Sequence, residues 1–107
     1  MTGRVLLAAA AALAAAARPA PAADISYGEY LANECVACHP PDVTDGVIPP
    51  LWLLPRDYFV QALREYREGT RDNPVMRSVA RSLGEEEIQA LADYFEYLGE
   101  QKRKGGS

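Results

Sequence analysis

Cys35-Val36-Ala37-Cys38-His39 is the stretch on which the reading of this 107-residue chain turns. It contains both cysteines and the only histidine, so whatever chemistry those groups perform is concentrated in five residues. The pattern C-x-x-C-H is that of a c-type haem attachment site, in which each thiol adds across a vinyl group of the porphyrin. The spacing suits that chemistry. Residues three apart share one face of a helical turn, so both sulfurs can meet one haem edge while His39 reaches the iron.

Working outward, Ser26-Tyr27-Gly28-Glu29 matches a capping box and predicts a helix from about Tyr27. That helix carries Leu31 and Val36 to the cysteines. It is expected to stop at His39, because a residue before proline is pushed out of the helical region and Pro40-Pro41 follow. Pro40 to Pro55 reads as a loop, yet Val47-Ile48-Pro49-Pro50-Leu51-Trp52-Leu53-Leu54 within it is very apolar. Such side chains need a surface to cover, either an ordinary core or a haem edge.

Pro55 suits the first position of a second helix. Tyr58, Phe59, Ala62, Leu63 and Tyr66 then form an apolar stripe at helical spacing, with Gly69 as its stop. Arg64, Arg67 and Arg71 fall on the other side. They read as a solvated face, with Arg64 and Glu68 a weak surface pair, or as groups that neutralise a haem propionate or dock a partner. Asn73-Pro74 looks like an N-cap and first helical residue of a short helix carrying Val79 and Leu83 inward. The last helix is predicted over Glu85–Leu98, with three glutamates in its first turn and Ile88, Leu91, Ala92, Phe95 and Leu98 on one face. Gly99 is read as its stop, leaving 99–107 as a flexible tail. With neither strand alternation nor internal repeat, the fold class is all-α, three to four helices packed around one haem.

The N-terminus has its own logic. Arg4, an apolar alanine-rich run from Val5 to Ala17, and Ala20-Pro21-Ala22 together have the layout of a secretory signal peptide over 1–22, so 23–107 is the expected domain. An uncleaved membrane anchor is the competing reading. The run is short of the roughly 20 residues that span a bilayer, so no stable membrane span is expected after cleavage, and the expected location is periplasmic. About 85 residues would remain, a size at which a core alone gives marginal stability and a staple is usual. From Ala23 onward nine Lys/Arg face fifteen Asp/Glu, a formal charge of −6. Nucleic-acid binding, which calls for a basic face, is excluded on that balance.

His39 leaves a second axial position to fill. With no other histidine, bis-His ligation is excluded. Met76, the only methionine beyond Met1, supplies a soft thioether that suits iron in both oxidation states. A methionine that merely fills a core gap is the plainer alternative. His39/Met76 ligation closes both faces, which makes the expected function electron transfer and not catalysis. Three rival classes are considered. A thioredoxin-like C-x-x-C module needs strands around the motif. Structural zinc wants four ligands where this chain offers three adjacent ones. A high-spin, ligand-binding haem protein is the third.

At this point the sequence resembles the bacterial class I cytochromes c. The likeness covers Tyr27 to Leu98 in the order of helix, C-x-x-C-H, proline loop, middle helix, Met loop and C-terminal helix. Ile48-Pro49-Pro50-Leu51, Leu54-Pro55-Arg56-Asp57-Tyr58-Phe59 and Gly69-Thr70-Arg71-Asp72-Asn73-Pro74-Val75-Met76 look, more narrowly, like the haem subunit of flavocytochrome c sulfide dehydrogenase and its dihaem relatives. The resemblance implies one covalent haem c on Cys35 and Cys38, with His39 and Met76 on the iron. It also implies a Pro49 carbonyl accepting from the His39 ring, and a Gly28 that lets the first helix cross the last near Tyr94 and Phe95. The implied role is periplasmic one-electron transfer as the cytochrome subunit of a sulfide-oxidising flavoprotein. The alternative is a free-standing cytochrome between a quinol-oxidising complex and a terminal oxidase or reductase. The chain departs from the family pattern at Pro40, where glycine is common, at Trp52-Leu53, where a small pair is common, and at Gly84, where a polar cap is common. Trp52 is a candidate to hydrogen-bond a propionate.

Overall fold

A computed structural model of the chain describes residues 23–44 and 46–105. The signal peptide expected over 1–22 lies outside the described residues. Four α-helices and one 3-10 turn make up the described part: α1 Ala23–Val36, the turn Leu51–Leu53, α2 Arg56–Glu68, α3 Pro74–Arg81 and α4 Glu85–Lys104. The described residues contain no strand, in keeping with the all-α expectation.

Helix α4 is the axis of the fold, packing against α1, α2 and the 3-10 turn, while α3 leans on α2. The reason lies in its apolar stripe. Ile88, Leu91, Ala92 and Phe95 are all buried, and each large one contributes roughly 1.5–3 kcal/mol by leaving water. Phe59 of α2 meets Phe95 with ring centroids 5.7 Å apart. Ala32 of α1 and Ala80 of α3 complete the same core. Gly28 sets the α1–α4 crossing, since a Cβ there would collide with the Ala90 carbonyl and lie 2.7 Å from Tyr94 Cβ.

Several boundaries differ from the sequence expectation. Helix α1 already includes Ala23, so Ser26 lies inside it and does not cap it. It leaves regular helix at Val36, three residues early, although His39 N still donates to Cys35 O at 2.8 Å and closes one more turn. Pro55 is the N-cap of α2, with Arg56 the first helical residue. The apolar stripe of α2 is rotated: Val60 is buried with Phe59 and Leu63, whereas Tyr58 is 51% exposed. A phenol tolerates water at its polar end, and Val60 has no polar end to offer.

The largest correction concerns Gly99. The last helix passes through it to Lys104, so 99–104 is helix and not tail. Gly99 is buried and its missing side chain makes room for the 3-10 turn, because a Cβ would sit 2.9 Å from Trp52 O. A glycine after an apolar run was read as a stop, but here tertiary approach is its use. Gly69, by contrast, does end its helix, with φ +86° and its N–H donated to Glu65 O at 2.9 Å.

The arginine face is also tied down more than expected. Arg64 pairs with Glu85 at the head of α4, and Arg67 reaches Leu83 O at 3.2 Å and Glu85 at 3.4 Å. Glu85, 21 residues away, replaces Glu68 as the hydrogen-bond partner expected of Arg64. These contacts close the corner between α2 and α4, a structural use that neither the solvated-face nor the propionate reading included. At the other end of α2, Arg56 donates to Asp93 at 2.7 Å and Gln89 at 2.8 Å, both on α4.

Candidate functional site

Cys35, Cys38 and His39 sit on the turn that leaves α1. The Cys35 carbonyl accepts from both Cys38 N at 3.1 Å and His39 N at 2.8 Å. This pair of bonds holds the three side chains on one local scaffold. Both cysteines are free thiols, Cys35 half-buried and Cys38 exposed. Burial, reinforced by the neighbouring Glu34 charge, pushes the Cys35 thiol up to about 11. A thiol that stays protonated is the opposite of the low-pKa thiolate on which C-x-x-C redox chemistry depends. The thioredoxin-like reading also needs strands around the motif, and the described residues contain none.

His39 is oriented by one strong contact: Nδ1 lies 2.8 Å from Pro49 O. A carbonyl only accepts, so Nδ1 is the donor, and in the neutral ring Nε2 then keeps its lone pair. An imidazole so held is prepared as a metal ligand, with a second partner fixing its tautomer and raising its basicity. Pro49 itself is exposed, but Pro50 beside it is fully buried and anchors the acceptor to the core.

Met76 lies in the first turn of α3, and its placement comes from the cap. Asn73 Oδ1 accepts from Met76 N at 3.0 Å, and Pro74 occupies the first helical position. The preceding loop is pinned from the helix as well, since Arg77 donates to Arg71 O and Gly69 O, both at 3.0 Å. Met76 and Cys35, 41 residues apart, pack against the same core cluster. Arg71 lies over the rings of Tyr58 and Tyr66, at 5.2 and 5.4 Å, and donates to Tyr58 OH at 2.8 Å. Sequence periodicity had no signal for this aromatic clasp, because Tyr58 looked like a core residue.

Trp52 differs from expectation. Its single N–H donates to Pro41 O at 2.8 Å. An indole has no second donor, so the propionate contact considered for it is replaced by a bond across the proline loop. The Gly84 departure is compensated locally, with Glu87 Oε1 accepting from Gly84 N at 2.6 Å.

The residues present fit a c-type haem in the chemistry of their donors and in the surface around them. Two free thiols, an imidazole with its outer nitrogen available and a thioether are the required set. Val47 is 99% exposed, and Ile48, Leu53 and Val75 are about half exposed or more. Val47 and Ile48 lie within the His39–Pro49 loop, Leu53 follows it and Val75 adjoins Met76, and they are apolar surface of the kind a porphyrin disc covers.

No protein-family profile matches the chain. Among curated proteins, it is 39% identical over 75 residues to a thiosulfate dehydrogenase electron acceptor of Stutzerimonas stutzeri, covering 64% of this chain and 34% of that one. It is 35% identical over 71 residues to the cytochrome subunit of sulfide dehydrogenase of Chlorobaculum tepidum, covering 65% of this chain and 64% of that subunit. It is 34% identical over 71 residues to cytochrome c4 of Azotobacter vinelandii, covering 60% of this chain and 34% of that protein. The chain thus spans from about a third to just under two thirds of these relatives' lengths.

Proposed function

We infer that this chain, a class I cytochrome c by its relatives and its all-helical fold, transfers electrons one at a time on a single covalent haem c. The observation that carries the reading is the His39 Nδ1–H to Pro49 O bond, on the same turn as the two free thiols. Haem supplies the one-electron iron couple when bound. Cys35 and Cys38 would hold it covalently, His39 Nε2 and Met76 Sδ would ligate its iron, and the Asn73 cap presents Met76. The Val47, Ile48 and Val75 side chains, exposed as they stand, would shield the haem from water. Two protein ligands on the iron would leave it to exchange electrons, which is why a carrier is the fitting role.

The working partner on this reading is a sulfide-oxidising flavoprotein, with the chain as its cytochrome subunit. Similarity to the sulfide dehydrogenase cytochrome over most of that subunit supports it. A free-standing carrier is the second reading, favoured by the likeness to thiosulfate dehydrogenase electron acceptors and cytochrome c4. Export through the 1–22 leader would place the protein in the periplasm. No helix among the described residues is long and apolar enough to cross a membrane.

Expression with a haem-attachment system tests the centre of this proposal. The expected product carries one haem that survives denaturation, with a low-spin reduced spectrum and the weak far-red band of methionine-ligated ferric haem. Met76→Ala should open the ferrous iron to carbon monoxide. A Met76→Ala protein whose carbon monoxide binding equals the wild type refutes Met76 as ligand, and a haem-free or zinc-only product refutes the function. The exported protein should begin near Ala23. Rapid reduction by sulfide in the presence of a co-purifying flavoprotein supports the subunit role, and its purification as a flavin-free carrier supports the second.

A further inference from the structure

We propose that Trp52 is a positioning residue for His39, tying the loop that carries the imidazole's acceptor to the C-terminal end of α4. The inference rests on the haem reading above and concerns residues that the family resemblance leaves unexplained.

The loop from Pro40 to Pro50 has little means of holding its own shape. Pro40, Pro41, Pro49 and Pro50 have no backbone N–H to donate. Among the described residues a single long backbone bond lies within it, Val43 N to Pro40 O at 3.4 Å. Yet the His39 bond to Pro49 O spans the whole loop and depends on its two ends staying in register. Trp52 provides a second tie across it, Nε1–H to Pro41 O at 2.8 Å. The two bonds run in opposite senses between the same two segments, His39–Pro41 and Pro49–Trp52.

Trp52 is in turn held in three ways, two of them by α4. The 3-10 turn that presents it is closed by Leu53 N to Pro50 O at 3.2 Å and Leu54 N to Leu51 O at 3.1 Å. Gly99 allows α4 to approach the Trp52 carbonyl so closely that no Cβ would fit. Lys102 lies 5.5 Å over the indole ring and reaches Asp42, the residue after Pro41, at 3.0 Å. A helix ending at Gly99 would lack that lysine. The extension to Lys104 and the large side chain at 52 are therefore two halves of one latch.

Its consequence for the haem is electronic as well as geometric. The Nδ1–H bond to a carbonyl makes an imidazole a better donor to a metal. A slackened loop weakens that bond, makes His39 less basic, and favours the ferrous state.

The test uses the haem-loaded full chain and its Trp52→Phe and Lys102→Met variants. Phe keeps most of the apolar bulk and loses the N–H; Met keeps the stem over the ring and loses the charge. The readouts are deuterium exchange of the His39 Nδ1–H in the reduced protein, followed by NMR, and the reduction potential. Trp52→Phe should exchange about fivefold faster or more, as expected for loss of an ordinary hydrogen bond, with an upward shift in potential. Lys102→Met should move both in the same direction by less. Arg56→Ala is the control, because it cuts ties between α2 and α4 and touches neither the loop nor its latch. It should lower thermal stability and leave both readouts in place. Unchanged exchange and potential in Trp52→Phe, or equal changes in Arg56→Ala, overturn the proposal while the haem reading stands. A wild-type chain that takes up no covalent haem overturns both.

Discussion

Replacing Gly28 by alanine should destabilise the protein even though alanine is the better helix former. Glycine to alanine inside a helix ordinarily gains about 1 kcal/mol. Here the new Cβ would collide with the Ala90 carbonyl and stand 2.7 Å from Tyr94 Cβ and 3.0 Å from Ala90 C. Two of these three atoms belong to backbone in the middle of α4 and the third is fixed to it, so none can swing aside as a side-chain tip could. Overpacking costs typically 1–3 kcal/mol, and the immovable neighbours put this case at the upper end. The net loss is then about 2 kcal/mol, the overpacking cost less the helix-propensity gain. For a domain of this size that lowers the melting temperature by roughly 8–16 °C. Thermal unfolding followed by circular dichroism measures it. Cys35 is two turns further along the same helix, so covalent haem yield should fall in parallel. A Gly28→Ala protein as stable as the wild type would refute the close crossing of α1 and α4.

Two further outcomes follow from the same structure. Asn73→Ala removes the cap that accepts from Met76 N, costing about 1 kcal/mol and weakening the far-red methionine band; Asn73→Asp, which keeps the acceptor, should restore both. Glu85→Gln addresses the corner between α2 and α4. The Arg64 hydrogen bond holds the Glu85 carboxyl below the usual carboxylate range, with the Arg64 and Arg67 charges adding to it. A carboxyl lowered on folding stabilises above its unfolded value, and that contribution is lost as pH falls through the folded value. The stability gap between wild type and Glu85→Gln should therefore be widest near neutrality and close in acid. Added salt should narrow it, because the pair is solvent-exposed. A gap independent of pH would exclude the carboxylate as its source.

Much of the site could be read from residue types and spacing because haem attachment is a local pattern. Cys35, Cys38 and His39 lie within one turn, and a turn is determined by neighbours in sequence. The N-cap at Asn73 and the stop at Gly69 were legible for the same reason. What failed were inferences that used local rules for long-range facts. Gly99 has the sequence appearance of a helix stop, and its use is to admit the Trp52 carbonyl of the 3-10 turn 47 residues earlier. Arg64 has a tempting partner four residues on, and Glu85 wins because α2 and α4 meet there. Tyr58 fits an apolar stripe by spacing, but Arg71 holds it at the surface.

The sequence by itself determined the helical class, which rests on short-range periodicity, and the four candidate haem-bonding residues, which rest on the C-x-x-C-H motif, the single methionine beyond Met1 and the family resemblance. Only the tertiary structure decided how the His39 loop is held. The Pro49 acceptor for His39 is implied by the family resemblance, but Pro41 O is an acceptor like any other carbonyl until the fold brings Trp52 to it. Lys102 likewise belonged to a polar tail until the helix carried it across Trp52 to Asp42. A hydrogen bond between residues ten or eleven apart depends on where the loop is packed, and packing is a property of the whole chain.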